Sequence, residues 1–131
     1  MVYGVSLWWV LLAAVVYFGV GAVWYSKVLF AKLWQEEVKL KKADMTMAPT
    51  AMATSFLAML LLVIVEAWVV HATGTAGLAK GAWLGFKLWL GFAATTALIN
   101  ATFQNGSMRL YAIDQGYHLV GIVLAGAILA H

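Results

Sequence analysis

The sequence has 131 residues, of which 65% are hydrophobic and 10% are charged. Soluble domains have about a quarter of their residues charged, and so short a soluble chain would expose most of its polar positions. The composition therefore excludes an ordinary soluble domain and predicts a single all-α membrane domain over residues 1–131. The net charge of +3 does not indicate a nucleic-acid partner, because five of the eight basic residues fall within residues 27–42. The absence of Cys excludes disulfides and thiol nucleophiles.

Four apolar runs are long enough to cross a bilayer as helices, since about 20 residues span a hydrocarbon core of ~30 Å. These runs cover residues 5–24, 51–70, 81–100 and 110–130. The last run contains Asp114, Gln115 and His118, so it spans the membrane only if these side chains lie inside the helix near one interface. No Lys or Arg precedes the first run, and we therefore expect a retained helix rather than a cleaved signal peptide.

The connections predict an antiparallel four-helix bundle. Gly74 and Gly77 mark a tight turn after the second run, and Asn105 with Gly106 marks another after the third. Pro49 suits the first turn of the second helix, where its missing N–H does no harm. Because short connections join antiparallel neighbours, consecutive helices are expected to pack side by side.

The long first connection has an amphipathic pattern between residues 28 and 42. Phe30, Leu33, Trp34 and Val38 recur at helical spacing, with Lys and Glu on the other side. This pattern predicts a short helix on the membrane surface, with its lysines near anionic lipid. Docking of a partner protein is the alternative.

Basic residues are distributed unequally over the three connections. Five lysines lie in the first and Arg109 lies in the third, whereas only Lys80 lies beside the second. Cytoplasmic loops carry an excess of Lys and Arg. The first and third connections are therefore predicted to be cytoplasmic, with both termini outside.

The segment that leaves the first run has a W-Y-S…L-F-x-K-x-W pattern, and the last run contains G-Y-H at residues 116–118. Together with the four spans, this pattern resembles the bacterial membrane family known as domain of unknown function 1761, over nearly the whole chain. The family usually has Pro where this sequence has Lys27. The resemblance implies the four-helix fold, a bacterial inner (cytoplasmic) membrane and no assigned activity. Its main positions here are Trp24, Tyr25, Ser26, Phe30 and Trp34.

Glu66 lies inside the second predicted span and Lys87 inside the third, where charge is costly and often functional. In a hairpin centred between Ala76 and Gly77, Glu66 and Lys87 lie at the same depth, so we predict that they pair. One interpretation is a structural pair that fixes the register of the hairpin. In the other, Glu66 binds a proton or cation, Lys87 tunes its affinity, and His71 near the outer end relays protons.

A second polar group is predicted near the inner end of the bundle. Asp114 and His118 lie four residues apart, and around a turn at Ser107 they come opposite Asn100 and Thr96. This cluster either lines the inner end of a pathway or joins two helices by hydrogen bonds. Neither a metal nor a cofactor is expected, because the three His residues form no ligand pattern.

Small residues recur every four positions in the last two spans. Such stripes allow close contacts between helices, either within one chain or between chains. The residues concerned are Gly77, Gly81 and Gly85 in the third span and its preceding turn, and the pairs Gly121 with Ala125 and Gly126 with Ala130 in the fourth.

These features favour an oligomeric or accessory structural subunit of the membrane, whose partners are the lipid bilayer and either copies of itself or a larger membrane complex. The alternative is a small oligomeric transporter or channel, coupled to protons or cations through Glu66. An enzyme is not expected, because the sequence contains no recognisable catalytic motif.

Overall fold

The computed structural model describes residues 6–26, 32 and 49–131, and the regular elements in this part of the chain are helices. Each of the four main helices is long and apolar enough to cross a membrane. The predicted all-α membrane fold is therefore confirmed. The predicted surface helix, with Phe30 and Trp34, lies outside the described residues. The helices are α1 (Leu7–Trp24), α2 (Pro49–Ala72), α3 (Leu78–Phe103) and α4 (Met108–Ala130).

The helix ends follow from local sequence. Ser6 and Ser107 precede α1 and α4, and each side-chain hydroxyl accepts a hydrogen bond from a backbone N–H of the first turn. Pro49 is the first residue of α2. Gly77 precedes α3 with a φ of 103°, a conformation that side chains with a Cβ rarely adopt.

The helix α4 lies at the centre of the bundle, because it packs against each of the other three helices. Its most extensive contacts are with α3 and α1, whereas α2 packs on α1 and α4 and hardly touches α3. The helices α1 and α4 are antiparallel. The ring of Trp9 contacts that of His131 at one end, and the indole N–H of Trp24 donates a hydrogen bond to Ile113 at the other. A short turn joins α2 to α3, but this turn does not make them close neighbours.

The core is built largely from small and β-branched side chains, which let the helices approach closely. The outward faces carry large apolar side chains such as Trp8, Phe92 and Phe103, which lipid would cover in a membrane. The core side chains are contributed by α1, α2 and α4, and include Val10, Ala13, Ala14, Val63, Ala67, Val70, Ile122 and Ala125.

Glycines bring α3 and α4 into backbone contact. A Cβ placed on Gly81 would overlap the carbonyl group of Gly126, and one on Gly85 would lie 2.6 Å from the carbonyl oxygen of Ile122. Gly121 lies instead against α1, under the ring of Tyr17. These four glycines of the predicted stripes therefore make their contacts within the chain.

A π-helical turn interrupts α3 at Trp89–Ala94. Turns of this kind have i→i+5 hydrogen bonds in place of i→i+4 bonds and occur frequently at functional sites. Side chains fasten both ends of this turn to α4. The indole N–H of Trp89 donates to the Gln115 carbonyl oxygen at 3.1 Å, and the Tyr111 hydroxyl donates to the Ala94 carbonyl oxygen at 2.8 Å.

Candidate functional site

Glu66 is the one charged side chain that is buried among the described residues, with 3% of its surface exposed. It lies on the same face of α2 as Val63, Ala67 and Val70, and this face points into the bundle. Neither of its carboxyl oxygens has a hydrogen-bond partner in the described part of the chain. Since buried polar groups are almost always paired, this carboxyl group is the most unusual feature of the interior.

The carboxyl group of Glu66 reaches the point where α3 and α4 cross. Its Oε2 atom lies 2.9 Å from the position that a Cβ on Gly126 would occupy. The carbonyl oxygen of Gly81 approaches the same position from α3. The glycine at 126 therefore provides the space that the carboxyl group fills.

The structure corrects the predicted ion pair, because Lys87 does not meet Glu66. Lys87 is exposed, and its ammonium nitrogen lies 5.7 Å from the centre of the Trp83 ring. The carboxyl group of Glu66 is level with Gly81, and Lys87 lies six residues further along α3, about 9 Å by helix rise. Because α2 and α3 hardly touch, nothing brings the two charges together.

The segment that carries the family resemblance fastens the end of α1 to α4. The indole N–H of Trp24 donates to the Ile113 carbonyl oxygen at 2.8 Å, and its ring lies over Gly116. The Ser26 hydroxyl donates back to the Val23 carbonyl oxygen at 2.6 Å. The absence of a side chain on Gly116 thus makes room for the ring of Trp24.

Tyr25 supplies the next link between α1 and α4. Its hydroxyl donates a hydrogen bond to Oδ1 of Asp114 at 2.6 Å. Burial raises the pKa of the Tyr25 phenol above its ordinary value, and the hydrogen bond to Asp114 raises this pKa further. The phenol therefore stays protonated and remains a donor to Asp114 at neutral pH.

Tyr17 and His118 form a hydrogen bond inside the bundle. The distance between the Tyr17 hydroxyl oxygen and Nδ1 of His118 is 2.6 Å. Tyr17 is 1% exposed, and its ring packs against Gly121 and edge-on against the ring of Tyr117. The Tyr117 hydroxyl points elsewhere and donates to the Tyr17 backbone carbonyl at 3.3 Å.

The partners predicted for the inner cluster are replaced by others, because Asp114 and His118 form hydrogen bonds with tyrosines of α1 and not with Asn100 and Thr96. Asn100 and Thr96 are exposed on α3, and the segment Thr95–Phe103 contains no buried residue. The partners are the tyrosines of α1, because α1 packs along this part of α4. The signal that could have identified one of them was present, since Tyr17 carries the only ionisable side chain in the first predicted span.

Together these side chains form what we call the polar column: Tyr25, Asp114, His118, Tyr17 and Glu66. It follows α4 from Asp114 to the level of Gly126, twelve residues or about 18 Å by helix rise. The ring of Tyr17 lies at Gly121 and the carboxyl group of Glu66 lies at Gly126, five residues further along α4. Polar groups thus run through much of an otherwise apolar interior.

A surface cavity of about 280 Å³ lies at the opposite end of the bundle from Tyr25. The buried residues Val70 and Ala130 line it. Val70 lies one helical turn beyond Glu66 on α2, and Ala130 lies one turn beyond Gly126 on α4. An apolar layer therefore separates the carboxyl group from the cavity. His71 is exposed at the wall of the cavity. Its role as a proton relay remains a prediction. The cavity lining is Val70, His71, Gly74, Thr75, Ala76, Leu129, Ala130 and His131.

The chemistry available to the polar column is proton transfer and the binding of a proton or small cation. Phenol, imidazole and carboxyl groups can all exchange protons. Within residues 6–26, 32 and 49–131, no three His, Asp or Glu side chains converge as metal ligands do.

A family model described as "Protein of unknown function (DUF1761)" matches residues 8–130. This range contains every residue of the polar column. No curated protein and no solved structure matches the sequence.

Proposed function

The chain belongs to the DUF1761 family, whose description assigns no activity, and we propose that it is a small membrane transporter in which Glu66 takes up and releases a proton or small cation. One observation supports this proposal above the others. The Glu66 carboxyl group is buried in a membrane-length helix, and neither of its oxygens has a hydrogen-bond partner among the described residues. An intramembrane acid is costly and is usually functional.

A bound proton or cation would resolve the electrostatic cost of this site. An ionised carboxylate without donors or a counter-charge is strongly disfavoured in an apolar interior. The described residues offer Glu66 no cation, because Lys87 lies away from it beside Trp83. We therefore infer that an exchangeable ion balances the carboxylate, and this binding is the elementary step of ion-coupled transport.

A structural or accessory subunit is the second interpretation. In the sequence, glycine-rich faces that could hold partner chains favour it. Gly81, Gly85 and Gly126 are used where α3 crosses α4, and Gly121 is covered by Tyr17. A structural ion pair between Glu66 and Lys87, which would have explained the buried acid without transport, is not formed.

We propose that the working form is a homo-oligomer or a subunit of a larger membrane complex. Four helices with a filled core can scarcely enclose a hydrated path for anything larger than a proton. We place the chain in a bacterial inner membrane, with the Tyr25 end of the bundle in the cytoplasm and both termini outside. The lysines of the first connection and Arg109 support this orientation. We propose no enzymatic reaction.

The proposal is tested by charge displacement in proteoliposomes adsorbed on a solid-supported membrane. A step in external pH should move charge into the wild-type protein, and Glu66→Gln should reduce the signal to that of protein-free vesicles. Lys87→Met is the matched control, because it removes an intramembrane charge that does not touch Glu66. A wild-type signal no larger than that of empty vesicles, or one that survives Glu66→Gln, would overturn the proposal.

A further inference from the structure

The polar column provides a path by which a proton could reach Glu66 from one end of the bundle. We propose that Asp114, His118 and Tyr17 transfer protons between the Tyr25 end of the bundle and Glu66. This inference rests on the proposed function, because it needs Glu66 to exchange a proton. It adds the route and the side from which the proton arrives.

The hydrogen bond between His118 and Tyr17 is the central link of this route. An imidazole can take a proton on one ring nitrogen and release one from the other, and a phenol can both accept and donate. The two groups meet at 2.6 Å, short enough for a strong hydrogen bond. Tyr17 is almost fully buried, so its hydroxyl lies in the interior of the bundle rather than at its surface.

Asp114 is the inlet of the route. It lies four residues before His118, on the same side of α4, and near the end of the helix at which α1 ends. Asp114 is only partly buried, so it can exchange protons with the surface. The titratable groups around His118 are Tyr17 on α1 and Asp114 and Tyr117 on α4.

The transfer toward Glu66 conserves every proton. Nε2 of His118 takes a proton from Asp114, one turn away on α4, through a bridging water, while Nδ1 of the same ring gives its proton to the Tyr17 oxygen. The original hydroxyl proton of Tyr17 leaves to water on the other side. That water passes a proton to the Glu66 carboxylate. The net change is one proton lost by Asp114 and one gained by Glu66, and rotation of the hydroxyl with a change of tautomer restores the route.

Water must carry the last step, because Tyr17 and Glu66 do not touch. The Tyr17 ring lies at Gly121 and the Glu66 carboxyl group lies at Gly126, five residues apart or about 7.5 Å by helix rise. On the far side of Glu66, the buried side chains of Val70 and Ala130 separate it from the cavity. Glu66 is therefore reached from the Tyr25 end in this conformation.

The route is tested by time-resolved infrared spectroscopy of the full chain in lipid after a rapid drop in pH. The observable is the rate at which the protonated carboxyl band of Glu66 appears, identified by its loss in Glu66→Gln. Tyr17→Phe keeps the ring over Gly121 but removes the hydroxyl, and we expect it to slow this rate by about tenfold or more. His118→Asn keeps a hydrogen-bonding atom near Tyr17 but cannot relay a proton, and should slow the rate similarly.

Tyr117→Phe is the matched control, because it removes a hydroxyl from the adjacent ring that bonds only a backbone carbonyl. We expect its rate to stay within about twofold of the wild type. Equal rates in Tyr17→Phe and Tyr117→Phe, with Glu66 still changing protonation, would show that the route is wrong and leave the proposed function standing. A wild-type Glu66 that keeps one protonation state would overturn both.

Discussion

Glu66 occupies a space that exists because residue 126 has no side chain. Its Oε2 atom lies 2.9 Å from where the Cβ of an alanine would stand, and the carbonyl oxygen of Gly81 limits the same space from α3. A single methyl group at this position would meet both the carboxyl group and the backbone of the neighbouring helix. Gly126 therefore serves both the packing of two helices and the position of one acid.

We expect Gly126→Ala to destabilise the protein by about 1–3 kcal/mol, because α3 and the Glu66 side chain must both move to admit the methyl group. Thermal unfolding in detergent, followed by circular dichroism, measures the change. Gly19→Ala is the control, since nothing lies within 4 Å of a Cβ at that position. Equal loss of stability in the two variants would show that the glycine crossing is not the cause.

The sequence allowed Glu66 to be identified, since a charge in an apolar run stands out. Its partner could not be predicted in the same way. The prediction of a Glu66–Lys87 pair assumed that two helices joined by a short turn pack along their length. In the structure, α2 and α3 hardly touch. The hydrogen bond of Tyr17 could not be predicted for a similar reason. Its partner, His118, lies 101 residues away in the chain, and the two side chains meet only because α1 packs on α4.

At the scale of elements, α1 is held to α4 by polar bonds at its end as well as by apolar packing. Trp24 donates a hydrogen bond to a backbone carbonyl of α4, and Tyr25 donates one to the side chain of Asp114. Both belong to the segment that carries the family resemblance. The same contacts hold Asp114 at the end of the polar column.

Tyr25→Phe should make the alkaline loss of stability shallower. The pKa of the Tyr25 phenol is raised in the folded state by burial and by Asp114, so its contribution is fully present below the ordinary tyrosine pKa of about 10. As pH rises above that value, the unfolded chain loses this proton first and stability falls. Denaturant titrations between neutral and strongly alkaline pH should show a smaller slope for Tyr25→Phe than for the wild type.

The remaining tyrosines provide the control for this measurement. Tyr111 donates to the backbone carbonyl of Ala94 rather than to a carboxyl group, so Tyr111→Phe removes a hydroxyl that has no acidic partner among the described residues. An unchanged alkaline slope in Tyr25→Phe, matching that of Tyr111→Phe, would show that the bond to Asp114 does not hold the Tyr25 proton.

The four helices could be predicted from the sequence, because each is an apolar run of sufficient length and the caps are local. Their arrangement could not, since helices that are apolar on every side give no indication of which face is buried. The central position of α4 therefore appears only in the structure. The π-helical turn at Trp89–Ala94 likewise has no Pro or other local signal.

At the scale of the whole molecule, the bundle is polar on one side of Glu66 and apolar on the other. The polar column leads from the Tyr25 end to the carboxyl group, and Val70 and Ala130 separate that group from the cavity beside His71. An ion-coupled transporter requires such a site to be accessible from one side at a time.

The central claim is that Glu66 exchanges a proton, and pH-dependent difference infrared spectroscopy in lipid tests it most directly. The wild type should show a carboxyl band that appears and disappears within the accessible pH range, is absent in Glu66→Gln, and is unchanged in Lys87→Met because Lys87 does not touch the acid. A Glu66 that stays ionised at every pH, and takes up a proton only in Lys87→Met, would contradict the claim and restore the structural ion pair.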